Sequence, residues 1–273
     1  MGDWRYYNNA MISTLAPHIT PDTSCMDEHF FTVGGKRALF ARWTTDFDKQ
    51  DKSEWWYVIK DTPFDISTLK SSRRYEINKG IKNFECKRIV AADYAESIYE
   101  IIVESYNTYP EKYRPHVTCE MVAEWTKGWK HVWGAFDSEG KLSSFLQASI
   151  HDEYIDLMVL KSLPSKEKYN VNFAIINAFL NDMSEKIREG KYICNGERNL
   201  VHETQFNNFI EKYFGFRKAY CTLNVKYPKK VKLFARMIYP FRKIFYSSQN
   251  KLMFKIGSVL KMEEIARITG GQY

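Results

Sequence analysis

The stretch from His131 to Leu160 constrains this chain more tightly than any other. Three runs, His131 to Phe136, Lys141 to Ile150 and Tyr154 to Leu160, are rich in apolar, aromatic and β-branched residues. The turn-forming runs Asp137-Ser138-Glu139-Gly140 and His151-Asp152-Glu153 separate them. Connections this short join neighbouring antiparallel strands, so the spacing predicts a three-stranded meander.

Elements of alternating type flank that meander. Before it, FECKRIV alternates as a strand, and Asp93 opens an amphipathic helix with Tyr94, Ile98, Ile101 and Ile102 on one face. That helix ends before Asn107 and Pro110, and a second spans Thr118 to Trp125. After the meander, Pro164 leads into a long helix from about Tyr169 to Arg188, closed by Gly190, and a strand follows from Lys191 to Cys194. A helix from Thr204 to Tyr213 and a strand from Lys218 to Lys226 complete the series. Upstream, FFTVGG and RALFARW read as two short strands around Gly34-Gly35, and Glu54 to Lys60 as a third. Next, LKSSRRYEINK reads as a helix capped by Asp65 or Ser67 and stopped by Gly80 in a left-handed conformation. The first 28 residues, which include the turn-rich TPDTSCMDE, show no sustained period and are expected to form a mobile or loosely packed lead. The expected fold class is α/β (α+β): a mixed central sheet flanked by helices at 84–227, a β-rich extension at 1–83 and a basic helical tail at 228–273.

Composition narrows the class further. With 44% hydrophobic residues, 13 glycines and 8 prolines in 273 residues, the chain can bury a core and is neither collagen-like nor broadly disordered. No run approaches the roughly 18 apolar residues of a spanning helix, and MGDWRYYNNAMIST lacks the pattern of a signal peptide. The default expectation is therefore a cytoplasmic protein, at most peripheral to a membrane. Cys25, Cys86, Cys119, Cys194 and Cys221 stand far apart with no CxxC pair, so thiols are expected rather than disulfides or a metal knuckle. The net charge of +7 is placed unevenly: residues 226–255 hold nine lysines and arginines and no acid. Leu233, Met237, Ile238, Phe241, Ile244 and Phe245 recur there in a basic amphipathic pattern that Pro240 interrupts. Such a pattern suits the interface of an anionic membrane and equally a bent helix pair packed on a core.

From residue 84 to 227 the order β-α-α-β-β-β-α-β-α-β resembles that of the GNAT N-acetyltransferases, and the ending EKYFGFRKAYCTLNVKY, with Gly-Phe before the last strand, strengthens the resemblance. RYEINKGIKNFECKRI followed by this ending is similar to acyl-CoA N-acyltransferase-like bacterial proteins, including the FemAB-like branch. The resemblance covers about half the chain. It implies transfer of a short acyl group from acetyl-CoA or another acyl-CoA to an amine, with an aminosugar or cell-envelope precursor as acceptor. The competing reading is a non-catalytic binding protein on a degenerate scaffold of that kind, held at an anionic membrane or nucleic acid. Of these two, the membrane is the expected partner, through 228–255, and nucleic acid is not.

The resemblance also directs attention to particular residues. In the family, the donor pyrophosphate rests on backbone N–H groups at a helix start. The corresponding turn here contains Lys166, Lys168, Tyr169, Asn170, Val171 and Asn172. It has none of the family's glycines, so lysine charge would have to compensate, and a plain helix cap explains the same residues. Transfer to an amine needs a proton acceptor, and the thiolate leaving group needs a donor. Glu153 and Asp156 on the meander are candidates; alternation places Asp156 on a face with Tyr154 and Met158. The family's acid, a tyrosine about five residues before the Gly-Phe phenylalanine, falls at Glu211 here, so Tyr213 is an offset candidate. Asn195 to Thr204 gathers Glu197, Arg198, His202 and Glu203 in one short loop. Glu197 or His202 could accept a proton and Arg198 could anchor an anionic acceptor group. A surface ion pair beside a Thr204 helix cap is the plainer account. The basic run from Ser71 to Lys79 is read as a solvated helix face, and most of the tryptophans as core.

Overall fold

The computed structural model describes residues 2–111, 114–200, 205–246 and 250–273. Two compact units emerge, each assembled from separated stretches of chain: 1–58 with 197–208 and 217–273, and 59–196 with 209–216.

The second unit contains the meander, and its strand order is β11-β10-β9-β8-β7. These are β7 (Glu85–Ile89), β8 (His131–Phe136), β9 (Leu142–Ile150), β10 (Tyr154–Ser162) and β11 (Tyr192–Glu197, its last residue in the other unit). The pairs from β7 to β10 are antiparallel, and β10–β11 is parallel. The sheet is therefore mixed, and helices cover both faces. On one face α2 (Ala95–Asn107) and α3 (Cys119–Lys127) insert Ile98, Ile101, Ile102 and Val122 against Val132, Phe136, Leu142 and Phe145. Thr118 caps α3 by accepting the Met121 N–H. On the other face α5 (Val171–Asp182) sets Phe179 edge-on to Trp133 at 4.9 Å, and the Trp133 indole N–H donates to Asp182 at 3.0 Å.

Where one long helix was expected after Pro164, there are three: α4 (Pro164–Glu167), α5 and α6 (Ser184–Arg188). One break lies at Met183, between α5 and α6, and the other at Asn170, which is left-handed at φ 66° and buried. Its amide donates to the Glu76 carbonyl and carboxylate at 2.8 and 2.6 Å. Glu76 belongs to α1 (Ser71–Asn83), which corrects a second expectation. Asp65 caps only a single 3-10 turn, and Gly80 lies inside α1 instead of ending it. A Cβ on Gly80 would stand 2.5 Å from the Asn170 carbonyl oxygen. The glycine is there because two helices touch backbone to backbone.

The first unit has strand order β1-β2-β5-β12. Its lead is ordered, contrary to expectation: β1 (Trp4–Tyr7) and β2 (Ala10–Ser13) form a hairpin. Asn8 and Asn9 make its two-residue turn with φ of 47° and 63°, the mirror-image turn that asparagine tolerates. Trp4, Met11, Phe30, Phe31 and Trp43 form a buried cluster beneath it. β5 (Phe40–Lys49) pairs parallel with β2 and antiparallel with β12 (Arg217–Lys226). The small β3 (Thr32–Val33) and β4 (Lys36–Arg37) form a separate hairpin, and β6 (Trp55–Lys60) runs from one unit into the other. The tail is helical, as α8 (Lys229–Ile238), α9 (Arg242–Tyr246) and α10 (Lys251–Thr269). Met262, Ile265 and Ala266 of α10 pack on Leu223, Val225 and Tyr227. Beyond α10, Gln272 accepts the Val225 N–H at 2.9 Å, with Gly271 too close to the Leu223 carbonyl for any side chain.

Gly80→Ala decides between two effects of opposite sign. Helix propensity favours alanine by about 1 kcal/mol, whereas forcing a methyl against backbone costs about 1–3 kcal/mol. The contact involves a carbonyl that cannot rotate away, so the variant is expected to lower the urea midpoint. A higher midpoint would show that α1 can move off α5 at little cost.

Candidate active site

The parallel pairing of β10 with β11 lasts three rungs: Tyr154 with Tyr192, Ile155 with Ile193, and Asp156 with Cys194. β10 then continues to Ser162, held by β9 alone, and β11 continues through Asn195 and Gly196. At the point of parting, Met158 is an extra residue in β10: Leu157 faces Ala148 while Val159 faces Gln147. This bulge breaks the strand's alternation and leaves Met158 exposed. A strand pair that separates inside a sheet turns backbone N–H and C=O groups toward a gap, where an extended ligand can complete them.

Half-buried Asp156 stands at the last closed rung, opposite the buried thiol of Cys194. Gly196, at φ 85°, bends the end of β11, and its N–H points to Cys194 Sγ at 3.3 Å. Below the opening, Tyr154 stacks on Tyr192 at 5.8 Å and on His151 at 4.5 Å. Glu153 is exposed in the turn just before them. The structure thus brings Asp156 to the opening and sets Glu153 three residues away.

The turn from β10 into α5 is largely satisfied by its own chain. The N–H groups of Lys166, Tyr169 and Asn170 donate to the carbonyls of Leu163, Lys166 and Glu167. Lys166 forms a 2.7 Å ion pair with Asp137, whose carboxylate is only 9% exposed. The Lys168 ammonium lies 5.1 Å from the Tyr169 ring centre. Lys79 and Asn83 of α1 donate to the carbonyls of Lys168 and Tyr169 at 3.1 and 3.2 Å. Val171 is fully buried, and the side-chain amide oxygen of Asn172 accepts from the Ser162 hydroxyl at 2.5 Å. A phosphate placed here would have to displace Asp137 from Lys166 and would meet the Glu76 carboxylate beside Asn170.

The other candidates lie elsewhere. Glu197 is the last residue of β11 rather than part of a loop, and it is ion-paired to Arg42. Arg198 donates to the Glu54 carbonyl at 2.6 Å and carboxylate at 3.1 Å, and its guanidinium stands 4.5 Å from the Trp56 ring centre. Its own N–H donates to the Trp56 carbonyl at 2.9 Å, so Arg198 is tied to a neighbouring strand on several sides. His202 and Glu203 lie outside the described residues. Tyr213, on α7 (Gln205–Phe214), is half-buried with its ring edge-on to Phe173 at 4.8 Å, in a cluster with Phe209 and Phe214.

No protein-family model matches the chain, and no curated protein matches it. Among solved structures, it is similar to L-PGS from Bacillus licheniformis, at 11% identity over 82% of this chain and 72% of that one, with a TM-score of 0.43. Similarity to FemX is 9% identity over 60% and 59% of the two chains, with a TM-score of 0.43. Similarity to a GCN5-related N-acetyltransferase from Sphaerobacter thermophilus is 13% over 39% and 32%, with a TM-score of 0.30. From β7 to β12 the strands and main helices follow the order expected from the sequence, with a mixed sheet between helices. At these identities the likeness is one of fold and transfers no residue role.

The Asp137–Lys166 pair gives a pH test of how the turn is held. Burial pushes the Asp137 carboxyl up, but the hydrogen bond from Lys166 and the N–H groups of Lys141 and Glu139 outweigh it, so its pKa is lowered. A lowered folded-state pKa contributes stability that is complete above the unfolded carboxylate range and is lost as pH falls through the folded value. Asp137→Asn is therefore expected to lower the melting temperature at neutral pH, with the gap to wild type closing in acid. An equal gap at both pH values would mean that packing, not charge, holds the turn.

Proposed function

We propose that the protein transfers an acyl group from an acyl-CoA thioester to an amine, with the acyl end of the donor lying between β10 and β11. The observation that carries this reading is the parting of the two strands after Asp156 and Cys194, next to a bulge, in the interior of an otherwise continuous sheet. An extended thioester can pair there with strand backbone, and an N–H at the gap can stabilise the oxyanion as the carbonyl becomes tetrahedral. The amine nitrogen attacks the carbonyl carbon and forms the C–N bond, and Asp156 takes the proton the nitrogen loses. Collapse breaks the C–S bond, and the departing thiolate takes up the proton that Asp156 received, so that free thiol leaves and the carboxylate is restored. An aminosugar or cell-envelope precursor is the proposed acceptor class, an assignment that rests on family resemblance alone.

One observation favours the alternative of a non-catalytic scaffold: Lys166 and Asn170 already have internal partners in Asp137 and Glu76. The two readings diverge when the full chain is incubated with acyl-CoA and a panel of amines while thiol release is followed. Turnover is expected, with Asp156→Asn lowering kcat/KM at least about tenfold, or about 1.4 kcal/mol of transition-state stabilisation. Transfer from aminoacyl-tRNA but not from CoA would keep acyl transfer and overturn the donor. An absence of turnover and of any thermal shift with either donor would leave the scaffold reading.

A further inference from the structure

The tail of the first unit shows an apolar surface that its own core does not use. On α8 the inner row, Val231 and Ala235, turns inward, with Ala235 buried and Val231 packed on the core cluster of β12 and α10. A second row, Leu233, Met237, Phe241 and Ile244, recurs at helical spacing and is 59–63% exposed. On α8, Leu233 and Met237 thus carry apolar surface beyond the residues that pack on the core.

Phe234, Ile238, Leu252 and Val259, together with Lys230 and Lys255, line a groove of about 950 Å3. Around both, Lys229, Lys230, Arg236, Lys243 and Lys255 are exposed, and residues 226–255 contain no acid. Contiguous exposed apolar surface of this kind marks an interaction site.

Charge selects the occupant. In a symmetric contact with a second copy, the same patch meets itself, setting the exposed Lys229, Lys230, Arg236, Lys243 and Lys255 against the same five cations. An anionic bilayer offers the complementary arrangement of negative headgroups over apolar chains. Among the described residues no helix is long and apolar enough to cross a membrane, so the contact is one of lying on the surface.

We propose that α8, α9 and the start of α10 form a docking face for an anionic bilayer, with Leu233, Met237, Phe241 and Ile244 entering the headgroup region and the lysines contacting lipid phosphates. This reading does not depend on acyl transfer and stands or falls apart from it.

The test is co-sedimentation of the full chain with vesicles of phosphatidylcholine alone or mixed with phosphatidylglycerol. Binding is expected only to the mixed vesicles at low salt, weakening as salt is raised. Leu233→Ser combined with Phe241→Ser and Ile244→Ser should lower the partition coefficient at least about tenfold with the circular-dichroism spectrum unchanged. Lys229→Glu with Lys230→Glu should weaken binding and flatten its salt dependence. Failure to pellet with mixed vesicles at low salt would overturn the proposal. So would binding that the serine variants leave intact, or concentration-dependent dimers that those variants abolish, the sign that a second copy covers the face.

Discussion

A parallel strand pair is held by slanted hydrogen bonds whose loss leaves backbone groups exposed, so a pair that opens inside a sheet needs support from outside itself. In this protein β9 supplies it. β10 stays paired to β9 as far as Ser162 after its rungs with β11 have ended at Asp156. Trp133 beneath α5 and the isoleucines of α2 clamp the β8–β9 side from both faces. The opening therefore lies inside the sheet, held on its β10 side by β9, and is not a frayed edge.

The turn leading from β10 into α5 is likewise held by contacts from outside it. Asn170 adopts a left-handed conformation, costly for most residues, because Glu76 takes its amide and Gly80 lets α1 approach its carbonyl. One contact thus fixes three things: where α5 begins, how α1 lies on it, and which groups surround the helix start. The internal carboxylate at that start sets the electrostatics any donor phosphate would meet, and the lowered pKa of Asp137 on Lys166 acts in the same sense.

The meander, the paired helices before it and the basic tail were legible from periodicity and turn chemistry alone. What escaped was set by contacts between distant residues. Gly80 has the local appearance of a helix stop, and only the presence of Asn170, 90 positions later, keeps α1 running past it. The bulge at Met158 is invisible in an alternating pattern, since an extra residue shows only in the register of the neighbour. Glu197 and Arg198 looked like loop chemistry because their partners, Arg42 and Glu54, lie more than 140 positions upstream. The Asn8-Asn9 turn was the one signal present and unread: two adjacent asparagines between aromatic and apolar residues are a hairpin turn by composition.

The tail shows why one stripe of apolar residues supported two readings. Helical periodicity reports that a face is apolar, but not how much of it finds a partner within the chain. Here the arc divides: Val231 and Ala235 turn to the β12 core, and Leu233 and Met237 remain in water. An apolar row kept in contact with water while lysines surround it contributes nothing to the stability of this fold, and burying it against another copy would bring like charges together. An anionic bilayer would relieve both costs at once, removing the apolar row from water as it neutralises the cations around it.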